Sequence, residues 1–575
     1  MSNIYPYEIC KGSEYMGINS VEIDNIEMYS HGKMNFMVGL CEKLGLPEVF
    51  NSNLEKDLGR KSDIPYGILA EMMLVNICDN HRPLMRLQEY FDMKDLEGIF
   101  HYPIELSQIN DDRFGKFLDS FYEAGPRRIF GELSTQAFLT YGIKVKNINY
   151  DTTSKVMWGT YEGYDGKEGV INIDFGHSKQ KREDKKQIKM GIGVANGVIV
   201  DAKVLSGNKD DKTYNKENLE EVPKVLKRLH ISESDFYYIA DCALFSKENL
   251  KKAKKLKLIT RMPETTKLSK ELIRKTLEDR ENMQKLDLMN AKGKNVEYFI
   301  AEKACTYEDI SLKCAVCYSV SLEAAKGKTI KKQIKKEKEG IDKLFKAYNK
   351  RAFACKEDAE KEITKLKGKN LKKIKYHDIE MIVEAKEKNK PGRQPKDPDK
   401  AEKIVEYYLR TKVEENEKSI KKQFEESCCF VLCSNDLDIT AENLLREYKT
   451  QSSVEKKFQQ IKSPNFVNSI YLDSPERIEA LTYLILISMM VLSVAEYVVR
   501  REMKAKGEKI LGPGKVKMTQ PTLRAILEVF NVGIGVKVYF LKGKKHRCLA
   551  RPLKENHKKL LECLGIDESI FSWNG

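Results

Sequence analysis

The sequence predicts an α/β chain: a mixed sheet covered by helices, with a helical region ahead of it and a long charged insertion inside it. Three observations carry this. Apolar residues keep a helical period up to about residue 140, alternate from Lys146 onward, and resume both patterns in turn after residue 426. Residues 265–425 interrupt that course with strand-like runs and then a lysine-rich block. A chain of 575 residues is too long for one core, and at 41% hydrophobic content it is rich enough for several, which excludes a wholly disordered protein.

The elements follow in order. Residues 64–80 open with Asp63 as a cap and Pro65 in the first turn, then repeat apolar residues at helical spacing. Residues 111–125 do the same and stop at Gly125-Pro126. No recognition-helix pattern marks this region, so DNA binding by it stays open. A first strand then ends at Asp151. Alternation follows through Ile171, Ile173 and Phe175, and again through Ile188, Met190, Ile192 and Val194. Asn196-Gly197 is a hairpin turn into the next strand. A helix over 215–229 is interrupted by Pro223, and an apolar strand then ends at Asp241. A helix (246–256) and a strand (258–263) close this part. After the insertion come a strand at 428–436, a helix over 441–462 and a helix over 475–504. The division is therefore 1–140, helical; 141–264, first part of the core; 265–425, insertion; 426–505, second part of the core; and 506–575, a basic C-terminal region.

The formal net charge is +15, and it is concentrated. Lys326 to Lys422 holds 31 Lys and Arg against 18 Asp and Glu, nearly the whole excess, in what reads as long charged helices. Such a block suits a polyanion. The segment around Pro391, Pro395 and Pro398 reads as an exposed linker; it lacks the Arg-Gly-Arg-Pro core of a minor-groove hook. Glu8, Glu14, Glu22, Asp24 and Glu27 argue against a signal peptide. The apolar run Leu481–Ala495 is shorter than the roughly 20 residues of a membrane span and reads as a buried core helix. Thirteen scattered cysteines without framework spacing read as free thiols of a reducing cytoplasm. Cys314 and Cys317, like Cys428, Cys429 and Cys433, lie on strand patterns and read as small buried residues rather than as zinc ligands.

Two carboxylates stand out. Asp151 and Asp241 each close an apolar strand, where the sheet fixes the backbone and the side chain emerges at its edge. Two such groups on neighbouring strands would offer oxygen ligands to a hard cation; the alternative is that each is a turn former. The helix over 441–462 places Tyr448, Glu455 and Lys462 seven residues apart, with Gln451 four before Glu455, so that all four share one face. That stripe suits a metal and a phosphodiester; the alternative is a solvated charged face.

Together these residues resemble the DDE transposases of bacterial insertion sequences. The helix is similar to the Tyr-x2-Arg-x3-Glu-x6-Lys signature of one large group of them: Tyr448, Glu455 and Lys462 match, and Gln451 stands where the group has Arg. The segments "DTTSKVMWGTYEG", "GHSKQKREDKKQ", "SGNKDDKTY", "YIADCALFSKENL" and "SPERIEALTYLILI" also resemble the group, over roughly residues 70–500. The 213 residues separating Asp241 from Glu455 fit the insertion that the group carries there.

The resemblance implies an RNase H-like catalytic core interrupted by a large insertion, with a helical N-terminal domain. It implies Mg²⁺-dependent phosphoryl transfer on DNA: cleavage at the ends of an insertion sequence and strand transfer into target DNA. Asp151, Asp241 and Glu455 would be catalytic and hold two Mg²⁺ ions, for which Mn²⁺ can substitute. Tyr448, Gln451 and Lys462 would contact phosphates. The partner would be double-stranded DNA with terminal inverted repeats, bound by a homodimer that pairs two ends, in a bacterial cytoplasm and with no membrane. The basic segment 177–187 supplies His177, Lys179 and Arg182 as further DNA contacts, or is structural. Trp158 reads as a buried aromatic, with base stacking as the alternative. Lys456 and Lys457 read as solvated, with assistance to the phosphate contacts as the alternative. A structure-specific nuclease without strand transfer and a silent DNA-binding relative are the other classes compatible with these residues.

Overall fold

A computed structural model describes residues 23–55, 62–162, 169–289, 293–369, 371–391, 403–463, 470–531, 534–541 and 543–574. The chain is a mixed α/β protein that divides into two compact units, Met1–Tyr238 with Gln451–Gly575, and Ile239–Thr450. The borders thus fall inside the strand Tyr237–Ala240 and in the turn at Thr450 and Gln451, rather than near residues 265 and 425.

The first unit is organised by the helix Pro475–Lys506. It is the one described helix long and apolar enough to cross a membrane, and 94% of its most apolar window is buried inside the fold. Its apolar residues face all round, as in a helix enclosed by others. The strand Val198–Ser206 and the helices Tyr66–Cys78, Asp111–Glu123, Pro126–Thr140 and Glu555–Leu564 pack around it. Gly125 lies in the left-handed region at φ +85° and makes the sharp turn between two of these helices. Asp63 does not cap the helix Tyr66–Cys78. Pro65 stands at that position and Asp63 pairs with Arg113 at 3.4 Å.

The strands Val198–Ser206, Gln187–Ala195 and Asn147–Val156 form an antiparallel sheet in that order. The alternation at 171–175 does not make a strand: only Asp174 bridges to Gln187. Pro223 does not break its helix either. Asp211–Arg228 runs through it, giving up the one bond that Leu219 would have received. The C-terminal region folds onto the N-terminal one. Ile23–Ser30 pairs with Gly535–Leu541, which pairs with Lys544–Leu549, so the helical region expected at 1–140 also carries a strand. From the last strand of this sheet the buried Arg547 makes two bonds to Asp95, at 2.7 and 3.1 Å, and one to Glu97 at 2.6 Å.

One core residue breaks the pattern. Glu71 on Tyr66–Cys78 is fully buried, and neither carboxyl oxygen has a hydrogen-bond partner among the described residues. Burial, with Glu42 and Glu48 adding to it, pushes its pKa well above the ordinary value. A raised native pKa makes the carboxyl's contribution to stability complete below its unfolded value and progressively lost as pH rises through the native one. Stability of the wild type should therefore fall toward alkaline pH, and Glu71→Gln should flatten that fall. Urea midpoints of both proteins across a pH series measure this; parallel curves would refute it.

In the second unit the strands Lys257–Arg261, Cys429–Ser434, Ile310–Ser319, Asn295–Tyr307 and Gln284–Met289 lie side by side, antiparallel throughout. Cys314 and Cys317 are buried on this sheet, and the Cys314 Sγ lies 3.1 Å from that of Cys305 on the next strand. The lysine-rich block is only half helical. After Val320–Tyr348 and Lys356–Lys369 comes a two-stranded ribbon, His377–Asn389 with Lys403–Glu415. The ribbon wins over a helix there because opposite charges meet across it, as in Glu384–Arg410 at 2.6 Å and Lys388–Glu406 at 2.9 Å, while Ile379, Met381 and Val383 alternate against a small core. That core contains Ile341, Phe345, Phe353, Ala359, Leu366 and Leu409. The expected linker begins at the described Pro391; residues 392–402, with Pro395 and Pro398, lie outside the described residues.

Candidate functional site

Asp151 does not end its strand. Thr152 and Thr153 are β-branched and prolong it to Val156, leaving Asp151 opposite Ile192 in the middle of the pairing. Its carboxylate accepts from the Thr152 N–H at 2.7 Å and from the Lys179 ammonium at 3.0 Å. Lys179 also donates to the Thr152 carbonyl at 2.6 Å and reaches Asp211 at 3.4 Å. Asp211, in the first turn of Asp211–Arg228, accepts from the Thr152 hydroxyl at 2.5 Å. One ammonium thus bridges two carboxylates, all partly exposed to solvent.

The helix expected over 441–462 is two helices, Ala441–Lys449 and Ser452–Ile461. Thr450 and Gln451 keep helical angles, but the bonds shorten to Thr450 N–H→Glu447 O and Val454 N–H→Gln451 O. The run Thr450-Gln451-Ser452-Ser453 accounts for the break, since short hydroxyl side chains compete for the backbone; the Thr450 hydroxyl takes the Glu447 carbonyl at 2.7 Å. Tyr448 therefore stands on a different helix from Glu455. Gln451 precedes the second helix, Glu455 is in its first turn and Lys462 caps its end.

This second helix packs on the strands Asn147–Val156 and Gln187–Ala195. It is anchored by Lys457, which is not solvated as expected but buried against Glu496 of the core helix at 3.1 Å. Lys462 is half-buried. Burial lowers its pKa, the Lys179 charge lowers it further, Asp151 opposes this, and Lys155 adds to the lowering. Asp151, Lys179 and Lys462 thus share one electrostatic environment, and Glu455 sits on the helix that delivers Lys462. Glu455 is exposed and has no hydrogen bond or ion pair among the described residues.

The remaining site residues are placed as follows. His177 is exposed and 3.4 Å from Glu183. Arg182 makes two bonds of 2.8 Å to Asp184 and stands over the Trp158 ring. Trp158 is 58% exposed, not buried: Met157 and Tyr161 take the inward positions beside it. Asp241 and Tyr448 belong to the second unit. Asp241 follows its strand as expected, its carboxylate accepts from the Ala243 N–H at 3.0 Å, and its carbonyl accepts from the Thr260 hydroxyl. It therefore does cap a turn. Within either unit, no three His, Cys, Asp or Glu side chains of the described residues are grouped as a metal would require. Asp211, Lys155 and the burial of Lys457 went unread in the sequence. The acidic pair Asp210-Asp211 at a helix start was the available signal for the first, but first-turn acids are common.

Residues 24–135 match a sequence family described as a domain of unknown function, DUF4277. No curated protein matches the sequence. Among solved structures the chain is similar to one in the cryo-EM structure of a piggyBac transposase synaptic complex with hairpin DNA, at 11% identity over 87% of this chain and 79% of that one, with a TM-score of 0.36.

Proposed function

We propose that this protein is a DNA transposase of the DDE type, which cleaves at the ends of an insertion sequence and joins them to target DNA. The observation that supports it most is local to one unit: the helix with Glu455 and Lys462 packs on the strand that carries Asp151, and Lys462 shares the field of Asp151 and Lys179. The order Asp151, Asp241, Glu455 in the sequence supports it independently.

The donor chemistry suits a divalent metal, since the Asp151 and Asp211 oxygens already hold a cation, the Lys179 ammonium. In this reading Asp151, Asp241 and Glu455 hold two Mg²⁺ ions, and bound metal supplies activation of the attacking oxygen and stabilisation of the leaving one. Lys462 offers a cation to a phosphate beside Asp151. Gln451 and Tyr448 offer hydrogen bonds, and His177 adds to them from its exposed loop. Gln451 forgoes the charge of the Arg it replaces, so its contact is the weaker one. The DNA partner carries inverted repeats and is held by a homodimer with two paired ends.

Lys179 has a second role here, as the counter-ion that a metal must displace. Lys179→Met should tighten Mn²⁺ binding, read by the loss of the free-ion electron paramagnetic resonance signal; unchanged affinity would mean that ammonium and metal do not compete. The reading as a whole is tested with DNA carrying the inverted repeats that flank the gene. Mg²⁺-dependent nicking at their edges, followed by joining of pre-cleaved ends, is the expected result. Nicking without joining would make the protein a nuclease, and binding without either would make it a silent relative.

A further inference from the structure

Trp158 is one of two tryptophans in the chain, and its exposure is built into the turn that carries it. Met157 is buried and its N–H bonds the Lys186 carbonyl at 2.9 Å. Tyr161 is buried in a left-handed conformation at φ +48°. Its ring lies 2.8 Å from where a Cβ at Gly159 would be, so a larger residue there would push the ring aside. The residues on either side turn inward and the indole is left outside.

What stands beside the indole is cationic. The Arg182 guanidinium lies 5.3 Å and the Lys185 ammonium 5.2 Å from the ring centre. Both come from the segment 177–187, which is held against the strand end by Val156 N–H→Gln180 Oε1 at 3.0 Å. Asp184 engages Arg182 but leaves Lys185 in excess. A flat aromatic face with cations at its margin has the chemistry of a site for a nucleobase and its phosphate. A base inside a duplex cannot offer its face, so the ligand has to be single-stranded or unstacked.

We infer that Trp158, with Arg182 and Lys185, is a stacking platform for an unpaired DNA base. It rests on the DNA-processing reading above and gives it a second contact. The platform lies seven residues along the chain from Asp151, which at strand rise is roughly 20 Å. It would thus hold a single strand several nucleotides away from the carboxylates.

The two tryptophans make the test direct. In the full-length Trp573→Phe protein, whose residue 573 carbonyl still accepts from Arg547, Trp158 is the sole indole. Titration with a short single-stranded oligodeoxyadenylate should quench its fluorescence saturably, and the same sequence as a blunt duplex should quench it far less. Trp158→Ala in the wild-type background should weaken single-strand binding roughly tenfold, with Trp158→Phe in between. Unchanged fluorescence at saturating DNA, or wild-type affinity in Trp158→Ala, would overturn the platform. Cleavage of insertion-sequence ends with no quench would remove the platform alone. A quench in a protein that never cleaves would keep the platform and remove the transposase reading.

Discussion

Asp151→Asn, Asp241→Asn and Glu455→Gln should each lower Mg²⁺-dependent strand cleavage by about a thousandfold or more, while DNA binding and thermal stability change little. The amides keep the shape of the carboxylates and remove only the charge. At Asp151 the loss is felt locally, because its oxygen faces the Lys179 ammonium and its charge opposes the lowering of the Lys462 pKa. Glu455 has no partner among the described residues that its loss would strand, so a fall in cleavage there cannot be blamed on a broken contact. Single-turnover cleavage of end-labelled DNA measures the effect, with circular dichroism melting as the control. Cleavage at wild-type rate in any one of the three would remove that residue from the catalytic set.

The second large effect is on stability. Lys457 and Glu496 form an ion pair whose side chains are 4% and 10% exposed, and it joins the helix of Glu455 to the core helix. Burial raises the Glu496 pKa, but Lys457 and Arg500 more than offset this and hold it below the usual value. Glu496 also accepts from the Leu523 N–H at 3.0 Å. Removing Lys457 leaves Glu496 in a poorly solvated place with Arg500, 2.7 Å away, still paired to it, so Lys457→Met should cost about 1.5–3 kcal/mol, less than a fully stranded charge would. Lys457→Met with Glu496→Gln should recover part of it, since the buried carboxylate is then gone and Arg500, which loses its partner, is 37% exposed and can be solvated. Denaturant unfolding of both variants tests this; a single variant as stable as the wild type would show that the pair contributes nothing. Below the ordinary glutamate pKa of 4.5 the wild type should also lose stability as Glu496 protonates, because a depressed native pKa contributes stability that is present above the unfolded value and disappears as pH falls through the native one.

What could be read in the sequence was what repeats over a short range. The hairpin at Asn196-Gly197, the helix ending at Gly125 and the buried run Leu481–Ala495 are all set by neighbours a few residues away. The place of Asp241 directly after its strand is legible for the same reason, since the apolar run stops there. The misreadings have a common cause. The acid that breaks the apolar run suggests a strand end at Asp151, yet Thr152 and Thr153 keep the strand going. One helix over 441–462 is what its apolar spacing suggests, and the hydroxyl residues around Thr450 divide it in two. Lys457 is buried because its partner Glu496 lies far along the chain, and Trp158 is exposed because Met157 and Tyr161 take the inward positions of its turn. The ribbon of 377–389 with 403–415 hid in a run of charge whose sign alternates only across the strands.

The pairing of Ile23–Ser30 with Gly535–Leu541 also bears on how the protein is made. Ile23 meets Leu541, 518 positions later, so the first unit cannot complete its terminal sheet until almost the whole chain has left the ribosome. The helix Pro475–Lys506 that fills its centre arrives nearly as late. Ile239–Thr450 is continuous and has no such delay. It can fold during synthesis, while the helices emerging before it wait with their apolar faces uncovered. The nascent chain is therefore most prone to aggregation over the interval in which residues 239–450 are translated, and it is over that interval that a chaperone would find its substrate.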